Sequence, residues 1–262
     1  MIFRNIILGA LITAVIAGLT LGGLQSFSTI PIIDSAEKYE VDKDQTTTPA
    51  ILDNETNQQP LHTASSHSHN HQEWSPKDGV ERVSFTLAAD ILIAFGHSVL
   101  LISFMALLYL KFGKPEISWK SGLIMGLGGY LSFYIATILG LPPEVPGTIA
   151  ANLHDRQVWW TLTTIATILG LSTLYLAPGT LKFIGLAFII LPHLIGAPQP
   201  QTPGYLNHDP AAISALQQLE HHFLLSTAWV NLLYWLVLGF FGGLVANKLF
   251  SIKNQKTRLT HA

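Results

Sequence analysis

Residues 83–110 read VSFTLAADILIAFGHSVLLISFMALLYL, and this stretch decides the class of fold. It contains no Lys or Arg, and Asp90 is its one carboxylate. About 20 mostly apolar residues are enough for a helix to cross the hydrocarbon core of a bilayer. The stretch is therefore predicted to be a transmembrane helix.

Five further segments have a similar character. They are residues 6–27, 121–141, 159–177, 181–197 and 223–247. The fifth of the six segments in chain order is short and contains Pro192. The sequence thus predicts an all-α fold, a polytopic membrane bundle of about six transmembrane helices. A cleaved first segment would leave five, but that segment is long and no A-x-A site follows it, which favours a retained helix.

The composition agrees with this class and excludes several others. Charged residues make up 11% of the chain, against about 25% in soluble globular proteins. The chain has no cysteine, which excludes disulfides, thiolate metal sites and iron–sulfur clusters. Three methionines are too few to suggest a thioether copper pathway.

Four regions are expected along the chain. Residues 1–33 hold the first helix, 34–82 an extracytoplasmic polar loop with histidines, 83–247 the helix bundle, and 248–262 a basic cytoplasmic tail. We expect the loop to be largely disordered at 42–72, because this segment cannot bury enough apolar surface to offset its chain entropy.

The positions of the charges predict an orientation. With a cytoplasmic N-terminus and six alternating spans, nine of the fourteen Lys and Arg face the cytoplasm, while fourteen of the sixteen Asp and Glu lie outside. Cytoplasmic loops are typically enriched in Lys and Arg. We therefore expect a multi-pass protein of the inner (plasma) membrane with both termini in the cytoplasm. The net charge of −2 hides an acidic outer face and a basic inner face.

Three alternating histidines, His67, His69 and His71, lie in the polar loop. Alternate side chains of an extended chain share a face, so three imidazoles can converge on one ion. Neutral imidazole binds Co, Ni, Cu and Zn. The tract is interpreted as a weak metal-capturing segment, the alternative being a solvated linker.

Asp90 and His97 lie seven residues apart in the second span and share a helix face. Ionisable groups at membrane depth usually face a cavity or a partner. The two residues are about 10 Å apart along the axis, so they cannot bind one ion together. They are either successive metal-binding stations or a buried polar pair that fixes helix packing.

Glu144 lies in the turn GLPPEVPG at residues 140–147, and His193 follows Pro192 in the fifth span. Irregular backbone at membrane depth is tolerated where it lines a cavity. By the topology above, both residues reach the depth of Asp90, which predicts an outer vestibule for a divalent cation built from these three side chains. The alternative for Glu144 is an exposed loop carboxylate. Arg156 is expected to pair with Glu144 or Asp155.

Several functional classes have no signature here. The chain lacks a G-x-x-x-x-G-K-[ST] loop, a G-x-S-x-G motif and an H-E-x-x-H motif, so we expect no enzymatic activity and no permanently bound cofactor. No basic nucleic-acid patch is present. Three glycine pairs at four-residue spacing, 18/22, 122/126 and 239/243, predict close helix packing, either within one bundle or in a homo-oligomer.

Five stretches together resemble the CbtA family, predicted cobalt transporter subunits of bacteria. They are MIFRNIILGALITAVIAG at 1–18, IPIIDSAEKYE at 30–40, WSPKDGVERVSFTL at 74–87, GLPPEVPGTIAANLHDRQVWW at 140–160 and PHLIGAP at 192–198. The resemblance implies a permease component for cobalt with a small companion membrane subunit, CbtB, and a link to cobalamin synthesis.

The leading functional prediction is a permease subunit for a divalent cation, Co²⁺ or Ni²⁺. The second is a membrane accessory or sensor protein that binds metal without conducting it.

Overall fold

The computed structural model describes residues 2–40, 76, 79–113 and 116–259, with side chains described from Phe3 to Lys248 within those ranges. This part of the chain folds into α1 (Ile2–Phe27), α2 (Ile30–Glu37), α3 (Val80–Phe112), α4 (Trp119–Tyr130), α5 (Ala136–Ile138), α6 (Leu153–Leu176), α7 (Lys182–Ile195) and α8 (Pro210–Leu259). A π-helical turn, Leu131–Ile135, joins α4 to α5, and a 3₁₀ turn, Gly179–Leu181, precedes α7.

The predicted α-helical membrane bundle is confirmed. Five stretches are long and apolar enough to cross a bilayer: α1, α3, α4 through α5, α6 and α8. The sixth, α7, is shorter, as its sequence indicated. Its 14 residues extend about 21 Å, against a hydrocarbon core of about 30 Å. The segment that contains α7 begins after Pro178 and ends at Gly196, whose φ is 87°.

Two helical regions extend beyond the segments that the sequence indicated. The short helix α2 occupies residues expected to form the end of the first helix and the start of the polar loop. The last helix begins at Pro210, well before residue 223, because the Asp209 carboxylate accepts a hydrogen bond from the Ala211 backbone N–H at its first turn. It continues to Leu259 through most of the expected tail.

The core lies between α1, α3 and α8. Its fully buried members include Ala14 and Ala17 of α1, Ile102 of α3, and Tyr234 and Leu238 of α8. Helix α4 packs on the outside of α8, and α6 with α7 forms a hairpin that reaches the bundle through the α4–α5 region.

The glycine pairs pack these helices within the chain. A Cβ added to Gly122 would lie 2.2 Å from the Gly239 carbonyl oxygen, so α4 and α8 touch backbone to backbone. A Cβ on Gly18 would lie 2.6 Å from the Ile91 Cα in the same way. Packing within one bundle is therefore confirmed for all three pairs.

The helix bundle has two ends of opposite net charge. At one, which we call the acidic end, Arg82 of α3 contacts α2, the Asn207 amide donates to the Tyr39 carbonyl, and Gln199 donates to the Gly140 carbonyl. At the other, the basic end, Asn247 of α8 donates to the Ile117 carbonyl. Among the residues whose side chains are described, the acidic end carries eight carboxylates and three cations, and the basic end five cations and Glu116.

Candidate cation site

A cavity of about 630 Å³ lies at the acidic end between α1, α2, α3 and α8. Its lining comprises Gln25, Thr29, Ile30, Ile33, Asp34, Glu37, Gly79, Arg82, Val83, Thr86, Phe223, Thr227, Val230 and Asn231. Hydroxyl, amide and carboxylate oxygens are therefore mixed with apolar side chains on its walls. Such oxygens bind hydrated or partly hydrated divalent cations.

Among the residues that the structure describes, three charged side chains lie at the mouth of the cavity. The Arg82 guanidinium lies 2.6 Å from a Glu37 carboxylate oxygen and 3.8 Å from an Asp34 carboxylate oxygen. These two carboxylates outnumber the one guanidinium, so the three charges together are negative. This rim attracts cations and is held in place by ion pairs between α2 and α3.

Asp90 lies one helical turn below the cavity. Thr86, which lines the cavity, precedes Asp90 by four residues on α3, and Gln25 follows Gly22 by three residues on α1. Asp90 is 5% exposed, and its Oδ2 has no hydrogen-bond partner in the described part of the chain. A Cβ on Gly22 would lie 3.0 Å from that oxygen, so the glycine provides the space in which the carboxylate sits.

His97 follows Asp90 by seven residues on α3, nearer the basic end, and contacts side chains of α8 and of the π-helical turn. Its Nδ1 is 2.8 Å from the Tyr234 hydroxyl of α8. The rings of Phe133 and Trp235 surround it, with centroids 4.8 and 4.7 Å away. Phe133 belongs to the π-helical turn, so this irregular turn helps to enclose the imidazole.

The core closes toward the basic end below these residues. Ile102 and Leu238 are 0% exposed and Met105 is 1% exposed. These side chains pack together with Leu101 in the three-helix core. The cavity therefore lies at the acidic end, and an apolar layer of the core separates Asp90 from the basic end.

Glu144 is paired with a cation. One of its carboxylate oxygens lies 2.8 Å from the Arg156 guanidinium, as the sequence had suggested. Arg156 lies in the first turn of α6, whose start is capped by the Asn152 side chain accepting from the His154 backbone N–H. The ion pair thus joins the 140–147 turn to the start of α6.

His193 packs against Trp159 of α6, with ring centroids 5.9 Å apart. The Trp159 indole N–H donates to the Pro192 carbonyl at 3.2 Å. These contacts join α7 to α6 at the acidic end.

The predicted vestibule residues are not brought together. Asp90 lies in the α1–α3–α8 core, Glu144 in the turn before α6, and His193 on α7. Within the ranges that the structure describes, no three His, Asp or Glu side chains converge in a way that would hold a metal ion. His67, His69 and His71 lie outside the described residues.

The residues of the cavity were missed by the sequence reasoning. Thr227 and Asn231, which line the cavity, are spaced four residues apart on the apolar helix α8, and Tyr234, the partner of His97, follows on the same face. This spacing of polar residues in an apolar helix was the feature of the sequence that could have identified them. Arg82 lies 45 residues after Glu37, so the sequence did not indicate that it pairs with Asp34 and Glu37.

The comparisons with known proteins give one match. A sequence model of the family described as "Probable cobalt transporter subunit (CbtA)" matches residues 3–247. No curated protein and no solved structure matches the chain. Because the match covers nearly the whole chain, including every predicted span, this membrane protein belongs to the CbtA family of probable cobalt transporter subunits.

Proposed function

We propose that this chain is a permease subunit that passes a divalent cation, Co²⁺ first and Ni²⁺ second, from its acidic end to its basic end. One observation carries the proposal. A polar cavity at the acidic end stops one helical turn above the buried carboxylate of Asp90, whose Oδ2 has no hydrogen-bond partner among the described residues. A buried carboxylate without a partner is costly, and such groups in spans mark ion paths.

The distribution of charge supports this direction. We assign the acidic end to the outside and the basic end, with both termini, to the cytoplasm, following the positive-inside rule. Carboxylates around the mouth raise the local concentration of cations. An inside-negative membrane potential then favours entry by about 2.3 kcal/mol per charge per 100 mV.

The site residues take different roles in this proposal. The rim carboxylates Asp34 and Glu37 receive the hydrated cation, and Asp90 is its first binding group at membrane depth. The His67, His69 and His71 tract captures metal near the outer surface. A small CbtB-like companion subunit or a second copy of the chain completes the transporter.

Three predicted metal ligands receive structural roles instead. Glu144 is neutralised by Arg156, and His193 packs on Trp159. The His97 Nδ1 is hydrogen-bonded to the Tyr234 hydroxyl, and aromatic rings enclose the imidazole. We propose that these side chains hold the helices in register around the cation path.

A second candidate is a metal-binding accessory protein that does not conduct. The apolar layer of Ile102, Met105 and Leu238 below Asp90 favours it, because this layer closes the path toward the basic end. In a permease the same layer must open during each cycle, as alternating access requires.

Transport by the purified chain in liposomes decides between the two. Liposomes hold a cobalt-sensitive dye, and Co²⁺ is added outside with an inside-negative potential. The permease proposal requires dye quenching that the Asp90→Asn variant lacks. Saturable Co²⁺ binding without uptake, with or without the companion subunit, identifies the accessory protein.

A further inference from the structure

Most hydroxyl side chains in α1 and α3 bond to their own helix. Thr20 donates to the Ile16 carbonyl at 2.8 Å and Ser26 to the Gly22 carbonyl at 2.7 Å. Ser84 and Thr86 of α3 donate to the carbonyls four residues earlier, at 2.7 and 2.9 Å. This local bond is the usual way in which a helix satisfies Ser or Thr in an apolar environment.

Thr13 of α1 and Ser98 of α3 depart from this pattern. Both residues are 0% exposed. The Thr13 Oγ1 and Ser98 Oγ have no hydrogen-bond partner within the described ranges. Leaving a buried hydroxyl without a partner costs about 1–3 kcal/mol, so each such group in a folded protein needs an explanation.

Both hydroxyls lie in the three-helix core on the basic-end side of Asp90, and Thr13 is level with Leu101 and Ile102. On α3, Asp90, Ala94 and Ser98 follow at four-residue spacing on one buried face. Thr13 lies beside α8, because a Cβ on Gly242 would be 3.8 Å from the Thr13 Cγ2 and 3.1 Å from the Leu101 Cδ2. Leu101 is only three residues beyond Ser98. The surrounding core residues include Ala10, Ala14 and Ala17, which are small.

We propose that Thr13 and Ser98 form a second polar station, which binds the water shell of the cation after it leaves Asp90. This inference rests on the proposed cation path and extends it by one step. A neutral pair of hydroxyls binds a hydrated cation weakly, and conduction requires sites that an ion can leave. Met105, which lies further along α3 than Ser98 and is 1% exposed, belongs to the apolar barrier toward the basic end.

Cysteine accessibility tests the station directly, since the native chain has no cysteine. Ser98→Cys introduces a single thiol into the full-length protein in membranes, and its rate of reaction with a small, charged methanethiosulfonate reagent is measured. Thr163→Cys is the matched control, because Thr163 of α6 is also fully buried with an unpartnered hydroxyl but lies outside this core.

We expect Ser98→Cys to react about tenfold faster than Thr163→Cys, and Co²⁺ to slow it about threefold more than equimolar Mg²⁺ does. Equal rates for the two cysteines, or a rate that Co²⁺ leaves unchanged, would overturn the proposal. The result stands whether or not the chain conducts, so it separates failure of this station from failure of the permease proposal.

Uptake by hydroxyl-free variants provides the second measurement. Thr13→Val combined with Ser98→Ala should reduce Co²⁺ uptake by about fivefold. Thr163→Val combined with Thr164→Val, which removes two unpartnered hydroxyls of α6, should leave uptake within about twofold. Equal losses in the two double variants contradict a station at Thr13 and Ser98.

Discussion

Asp90 and Glu144 are two carboxylates that the protein places in opposite circumstances. Asp90 is buried in the three-helix core, and its Oδ2 has no partner among the described residues. Glu144 keeps a quarter of its side chain exposed and lies 2.8 Å from Arg156. A carboxylate already neutralised by a guanidinium offers little to an incoming cation, whereas an unpaired one gains by binding it. The comparison therefore supports the proposal that Asp90 binds the cation and that Glu144 holds the structure together.

The largest expected effect comes from Asp90→Asn. The change keeps the shape of the side chain and removes its negative charge, so Co²⁺ uptake should fall by about tenfold or more. The unfolding temperature in detergent should not fall, because no ion pair is lost. Uptake in liposomes and thermal unfolding measure the two effects. Glu144→Gln is the control, and an equal loss of uptake in that variant would erase the distinction between the two carboxylates.

Gly22→Ala tests the space in which Asp90 sits. The added Cβ would lie 2.9 Å from the Leu87 Cδ1 and 3.0 Å from the Asp90 Oδ2, both at the ends of flexible side chains. The fold should therefore persist while the carboxylate is displaced, and uptake should fall by about three- to fivefold. Gly23→Ala is the matched control, because a Cβ there meets nothing within 4 Å. A similar loss in both variants would indicate an effect on α1 as a whole.

Glu144→Gln should have a small effect on stability. The ion pair with Arg156 is partly exposed, and pairs of this kind contribute about 0–1 kcal/mol. We expect the substitution to lower the free energy of unfolding, measured in denaturant, by an amount within that range. The difference from the native protein should shrink at high salt. Asp155→Asn, beside the same arginine in sequence, serves as the control. A loss that persists at high salt would mean that the pair is shielded from solvent.

The smallest effect is expected at Tyr205, which donates a hydrogen bond to the Glu220 carboxylate. Burial, the hydrogen bond to Glu220 and the nearby negative charge raise the pKa of Tyr205 above its ordinary value of 10.0. Tyr205 therefore ionises at a lower pH in the unfolded chain than in the folded protein. The stability that the protonated Tyr205 contributes is fully present below pH 10 and is lost as the pH rises above 10. Unfolding temperatures between pH 9 and 11 should fall more steeply for the native protein than for Tyr205→Phe. Parallel curves would show that the hydrogen bond between Tyr205 and Glu220 does not contribute to this pH dependence.

Local patterns account for much of the fold. The six apolar segments correspond to six helices, and the glycine pairs mark where α1 meets α3 and α4 meets α8. These features are predictable because hydrophobic length and small-residue spacing act along one helix at a time. The start of α8 at Pro210 was not predicted, because its first turns are too polar for a span and are held by tertiary contacts such as Leu216 with Ala36 and Val145.

The candidate site was predicted only in part. Asp90 was identified because a charge within an apolar span is conspicuous in the sequence. Its expected neighbours Glu144 and His193 are elsewhere, since similar depth along the membrane normal does not decide which helices are adjacent. The residues that do surround the path, such as Thr86, Thr227 and Asn231, are ordinary polar side chains until three helices bring them to one cavity.

The sequence by itself determined the membrane class, the six apolar helical segments, the opposed charges of the two ends and the family. These follow from composition and order, because the cost of placing charge in hydrocarbon acts on each residue independently of its neighbours. The tertiary structure alone decided that Glu144 pairs with Arg156, that His97 is hydrogen-bonded to Tyr234, and that the Asp90 Oδ2 lies beneath a cavity without a hydrogen-bond partner among the described residues. Those outcomes depend on which helix faces touch, and packing between backbones in contact at their glycines selects those faces.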